Sequence, residues 1–233
     1  MIESLKHLAF LKPLQPIKYR LLLCTLLLLS ILTPLVESSS IAKLIHLILL
    51  QIALLACIVA VYEFRVLFWI SLVLGLLALS DSSLEYLDGD PQIHTSALLI
   101  TSLFFVILGV TILYDVMRST KVNAEQICGA LCVYFLIGVV WSYLFGVLLT
   151  TDANAIRFPE SDAPRSHLPG TLTYFSFVTL TTLGYGDIQP VSLAARTLCW
   201  LEAVIGQIYM TVLIARLVGL NLSSHRDYSP TDQ

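Results

Sequence analysis

Charge is what this sequence has least of. Across 233 residues only 12% are Asp, Glu, Lys or Arg, whereas 57% are hydrophobic; a soluble domain carries roughly 25% charged and about 45–50% apolar residues. So few charges cannot cover the surface of a water-soluble fold of this size, which excludes a soluble enzyme. With a mean hydropathy of +0.85, the apolar excess must face lipid. A formal net charge of −3 removes any electrostatic basis for a nucleic-acid partner. Cysteine is scarce too. Cys24, Cys57, Cys128, Cys132 and Cys199 all fall inside apolar stretches, so no extracellular disulfide framework is implied. Cys128 and Cys132 share a helix face and read as small packing residues rather than a metal site. No glycine-rich dinucleotide pattern occurs, and no cofactor is implied.

What is present is a series of long apolar runs. A membrane-crossing helix needs about 20 mostly apolar residues. Charge-poor runs bounded by polar clusters give six spans, at about Tyr19–Val36, Ile41–Tyr62, Val66–Ser80, Ile93–Tyr114, Ile127–Thr150 and Val191–Gly219. The third is short for a full crossing. The first follows basic residues as a secretory signal would, but Leu35-Val36-Glu37-Ser38 offers no small-x-small cleavage site, so it reads as a retained helix. With both termini inside, nine basic residues (Lys6, Lys12, Lys18, Arg20, Arg65, Arg118, Lys121, Arg216, Arg226) lie on the cytoplasmic side and four (Lys43, Arg157, Arg165, Arg196) outside. That asymmetry follows the positive-inside rule.

One absence inside the spans is informative. A voltage-sensing helix needs several arginines at three-residue spacing, yet no Lys or Arg occurs from Pro91 to Tyr114. Steep coupling of opening to membrane potential through that helix is therefore not expected. His46 and Gln51 in the second span read as interhelical hydrogen-bonding groups.

Between the last two spans lies a further segment, about Leu168–Pro190. It contains a short helix expected over Leu172–Thr181 and then Thr179-Leu180-Thr181-Thr182-Leu183-Gly184-Tyr185-Gly186-Asp187. This string resembles the potassium-channel signature, a Thr-x-Gly-Tyr-Gly-Asp core behind a pore helix. A potassium ion leaves water only if oxygens replace its hydration shell, and a ring of backbone carbonyls does this. Irregular backbone is tolerated at membrane depth only where it lines such a cavity. Gly184 and Gly186 permit the unusual backbone angles required at alternate residues. The resemblance implies K+ sites formed by Thr182, Leu183, Gly184 and Tyr185, with Gly186 completing the ion-binding string and Asp187 at the outer mouth. It also implies a pore helix whose partly negative C-terminus favours a cation.

The departures from the family pattern matter. Leu183 stands where valine is commonest. Val178 stands where some potassium channels carry an acidic brace, and Tyr174 and Phe175 stand where many have tryptophans. Tyr174 retains a hydroxyl for Asp187, and Thr181 and Val178 complete the expected support. Gly206, nineteen residues after Asp187, is a candidate gating hinge or a close-packing residue. Glu202 is an intramembrane carboxylate, a functional candidate by default, read here mainly as a structural group bonded to the fifth span or pore helix.

The expected fold is an all-α membrane protein: six transmembrane helices, a re-entrant pore helix and a selectivity filter, assembled as a four-fold homotetramer because each chain supplies one filter. Residues 1–18 form a cytoplasmic N-terminal segment and 19–118 a four-helix domain in the place of a voltage sensor. Residues 119–219 form the pore domain, with its filter at 182–187, and 220–233 a short cytoplasmic tail. The whole-chain resemblance is to six-span, single-filter potassium channels of the bacterial ion-channel type, close over about residues 168–219. It implies a passive, potassium-selective homotetramer in a plasma (inner) membrane among lipids, not an enzyme. The rival readings are a weakly selective cation channel and a non-conducting membrane subunit or sensor. The sequence names no auxiliary subunit and no gating stimulus.

Overall fold

The computed structural model describes residues 17–36, 73, 91–119, 123–159 and 168–226. Its elements are α1 (Lys18–Val36), α2 (Pro91–Arg118), α3 (Ala124–Thr151), β1 (Ile156–Arg157), α4 (Leu168–Leu180), β2 (Gln189–Pro190) and α5 (Leu193–Arg226). The runs expected at 41–62 and 66–80 lie outside the described residues, residue 73 excepted. Among the described residues three helices are long and apolar enough to cross a membrane: Thr95–Arg118, Ala124–Thr151 and Leu193–Leu220. Helix is the form that satisfies every backbone donor and acceptor within one segment, as a lipid environment demands.

The helix ends show why the observed bounds differ from those read off hydropathy. Asn123 caps α3, its side chain accepting from the Gln126 amide at 2.8 Å, and Asp152 closes the other end, its amide donating to Leu148 O. Helix α4 begins at Leu168 rather than Leu172, and α5 runs on to Arg226 rather than stopping at Gly219. A helix propagates while each added residue gains a hydrogen bond, so it extends past the apolar window into polar sequence.

Helix α2 packs along α3, and α1 lies on α3 and reaches α4. Their shared core holds Tyr19, Leu22, Phe104, Phe105, Leu108, Ile112, Val133 and Leu136. Gly129 is small because a Cβ there would meet Val116 Cγ2 at 2.9 Å. At one end of this bundle polar groups converge. Lys18 Nζ lies 3.3 Å from Asp115, the Tyr19 hydroxyl donates to the same carboxylate, and Arg20 Nε lies 3.4 Å from Glu125. The Arg216 guanidinium of α5 reaches the same end, donating to Met117 O at 2.8 Å and Ser119 O at 2.7 Å. The N-terminal ends of α1 and α3, the C-terminal end of α2 and the distal part of α5 therefore share one face.

Candidate functional site

The site is the loop that leaves the C-terminus of α4. Helix α4 is short and lies among three others, seated by aromatic packing: the Phe145 and Phe175 ring centroids are 4.9 Å apart, and those of Phe135 and Phe177 are 5.4 Å apart. Gly138 of α3 makes room for Phe177, since a Cβ there would stand 2.8 Å from Phe177 Cζ. Phe175, Leu172, Trp141, Phe145, Ile156 and Ile188 form a second core around this helix.

At the end of α4 the backbone turns sharply. The Leu183 and Gly184 amides both fold back onto Val178 O, at 2.9 and 3.3 Å, and the Thr182 amide bonds Thr179 O at 2.9 Å. Val178 thus supports the loop through its carbonyl rather than its side chain. Thr182, Gly184 and Gly186 adopt positive φ, at 59°, 57° and 78°. Left-handed backbone at every second residue turns successive carbonyls in a way an extended strand cannot. The glycines accept this conformation readily, whereas a β-branched residue there is a genuine outlier. Every residue from Thr181 to Asp187 is exposed on the single protomer.

The outer side of the loop is pinned at several points. The Tyr174 hydroxyl donates to Asp187 Oδ2 at 2.8 Å. That bond is the main reason the Asp187 carboxyl is held below the usual carboxylate range, and the main reason the Tyr174 phenol is pushed up to about 12. Gln189 Nε2 donates to Gly186 O at 2.9 Å. Strands β1 and β2 pair antiparallel, Ile156 opposite Pro190 and Arg157 opposite Gln189. Ala155 O accepts from the amides of Val191 and Ser192, at 2.8 and 3.1 Å, and Ser192 Oγ in turn caps α5 by accepting from Ala195 N. The segment 152–157 thereby fixes the exit from the loop to the start of α5.

Residues 127–221 match the family model described as "Ion channel". That stretch covers α3, α4, the loop and α5. The chain is also similar, over part of its length, to curated potassium channels. Human potassium voltage-gated channel subfamily A member 4 is 30% identical over 101 residues, which is 42% of this chain and 15% of that protein. Subfamily A member 10 from Gallus gallus is 33% identical over 95 residues, 39% of this chain and 18% of that protein. Subfamily A member 5 from Mustela putorius furo is 30% identical over 101 residues, 42% and 16% respectively. The chain thus spans less than a fifth of the length of these relatives. No solved structure matches it. These matches are to channels, and each covers less than half of this chain.

Within the matched region, Gly206 of α5 faces the end of α4. A Cβ there would lie 2.6 Å from Leu180 O and 2.7 Å from Leu180 Cδ1, and α5 runs helical through this position. Glycine is needed at 206 for close approach between α5 and the last turn of α4. Glu202, fully buried, meets α4 rather than the 182–187 loop: Ser176 Oγ is in hydrogen-bond contact with Glu202 Oε1. Leu183 and Tyr185 project uncovered, at 58% and 68% exposure. Sequence reasoning passed over Ser176, Gly138 and the Ala155 pin. Ser176 alone carried a signal, as a serine in an otherwise apolar stretch of the pore helix.

Proposed function

We propose that this chain is the protomer of a homotetrameric, potassium-selective channel in a plasma membrane, with Thr182–Asp187 as its filter. The observation that carries this reading is the alternation of left-handed backbone at Thr182, Gly184 and Gly186, directly behind a short helix in the channel-like region. Such a loop can present carbonyl oxygens in place of an ion's water shell. On one chain it lines only one side of a path, and four copies around an axis would close it. The exposed Leu183 and Tyr185 side chains and the apolar face of α5, with Val204, Ile208 and Val212 uncovered, are the surfaces such an assembly would bury. The Thr182 hydroxyl would form the innermost ring of ligands and Asp187 the outer mouth. Conduction is passive, and with no Lys or Arg from Pro91 to Tyr114 it lacks the charges for steep voltage control.

The test is flux through purified protein in liposomes under potassium and sodium gradients. Potassium-driven uptake that exceeds sodium uptake and is abolished by Gly184→Ala supports the proposal. Equal permeability to the two ions would reduce it to a weakly selective cation channel. A tetramer that passes neither ion would instead fit a membrane sensor or partner subunit.

A further inference from the structure

Glu202 sits in the middle of three helices and away from the conducting loop. Its residue exposure is 0%, and so is that of Ser176. Ser176 Oγ stands 2.7 Å from Gly138 O of α3 and also contacts Glu202 Oε1 of α5. A serine hydroxyl has one proton to donate. Gly138 O is a carbonyl and can only accept, so the Ser176 proton belongs to that bond. The contact between Ser176 Oγ and Glu202 then needs a proton from the other side, and only a protonated carboxyl supplies it.

The second oxygen agrees. Glu202 Oε2 is buried and has no hydrogen-bond partner. For an ionised carboxylate, an unpaired oxygen in an apolar site is very unfavourable. For a neutral acid donating through Oε1, Oε2 is a carbonyl oxygen, and an under-satisfied carbonyl is the more tolerable kind of orphan. Among the described residues no cation is placed to offset a charge. Helix α4 contains no charged residue, and the one charged residue of α3 is Glu125, thirteen residues from Gly138 or about 20 Å along the axis. Among the described residues, the titratable groups within electrostatic reach of Glu202 are the Tyr134 phenol of α3 and the Cys199 thiol of α5, neither of which is a cation. Arg196 is six residues away on α5 itself, and its guanidinium is directed to Pro190 O.

We propose that Glu202 is a positioning residue held as the neutral acid, completing a chain of hydrogen bonds from α5 through Ser176 to Gly138 that fixes the pore helix between the inner and outer helices. Its link to conduction rests on the channel reading above; its protonation does not. The last turn of α4, carrying Val178 O, begins two residues beyond Ser176 and anchors the Leu183 and Gly184 amides. A shift of α4 at Ser176 is therefore passed to the filter.

The experiment combines infrared difference spectroscopy with flux, both on full-length protein in lipid. At neutral pH the wild type should show a protonated-carboxyl C=O band that disappears in Glu202→Gln and moves in Ser176→Ala. Glu202→Gln, which keeps a donor and an acceptor, should leave potassium flux within about twofold of wild type. Glu202→Ala should lose about tenfold or more, the scale set by leaving a buried group unpaired. Absence of the band from the wild type, or flux that Gln rescues no better than Ala, overturns the proposal even if Glu202→Ala fails to assemble. A wild type that carries the band but passes no ions supports the neutral acid and overturns the channel reading instead.

Discussion

Thr182 is the residue at which side-chain chemistry and backbone preference conflict. Its φ of 59° is a conformation that costs a β-branched residue roughly 1–3 kcal/mol, yet its hydroxyl is what the innermost ring of ligands would use. Such strain persists only where surroundings over-determine the backbone, and here they do: Val178 and Thr179 carbonyls hold the amides of Thr182, Leu183 and Gly184. Tyr174 and Asp187 form the matching restraint on the outer side. Because the bond lowers the Asp187 value, its contribution is present above the ordinary carboxylate pKa and is lost as pH falls through the lowered value. Tyr174→Phe should therefore destabilise the assembled protein slightly at neutral pH, by about 0.5 kcal/mol or less for so exposed a bond. Thermal melts of wild type and variant should converge as the outer solution is acidified. A difference that persists at low pH would place the effect elsewhere. The sequence identified both partners because each stands at a fixed distance from the filter string. It did not disclose the left-handed backbone of Thr182, since a positive φ at a non-glycine leaves no mark in composition.

At the scale of elements, the position of α4 is set by pairs of large and absent side chains. Gly138 admits Phe177, and Gly206 admits the Leu180 carbonyl. Gly138→Ala should cost about 1–3 kcal/mol through overpacking, and Phe177→Leu in the same background should recover part of it. A double-mutant cycle of thermal stability tests this: simple additivity would mean the two side chains do not compete for the same space. Neither contact was readable beforehand. Gly138 lies in an apolar run where any small residue satisfies the pattern, and the ring it accommodates is 39 positions away in sequence. Gly206 was legible as special by its spacing from Asp187, but spacing could not separate a hinge from a close approach. The distance to Leu180 O supplies the packing reason. Glu202 was likewise legible as an anomaly in an apolar run, while its partner Ser176 was not.

At the scale of the whole molecule, Arg216 joins the inner helix to the connection between α2 and α3 through two carbonyls. Arginine's planar fork suits it to hold two acceptors at once, and lysine is not an equivalent replacement. Arg216→Gln should therefore loosen the distal part of α5 from the rest of the bundle, and open probability in planar bilayers should change relative to wild type with ion selectivity unaltered. Unchanged gating would show that this contact is structural only. Across a voltage ramp, wild-type open probability should vary weakly, since α2 has no Lys or Arg before Arg118. A steep conductance–voltage curve would refute that expectation.

The sequence by itself determined the environment, the approximate ends of the apolar helices and the location of the filter string. Those follow from composition, from the length needed to cross a bilayer and from a short motif whose residues are adjacent in the chain. The tertiary structure decided the rest: that α4 is wedged by Gly138 and Gly206, that Ala155 pins the exit of the loop, and that Glu202 meets Ser176 instead of the 182–187 loop. Each of these joins positions far apart in sequence through a single close contact. Local pattern carries no information about such contacts, because many small or apolar residues would satisfy the same hydropathy.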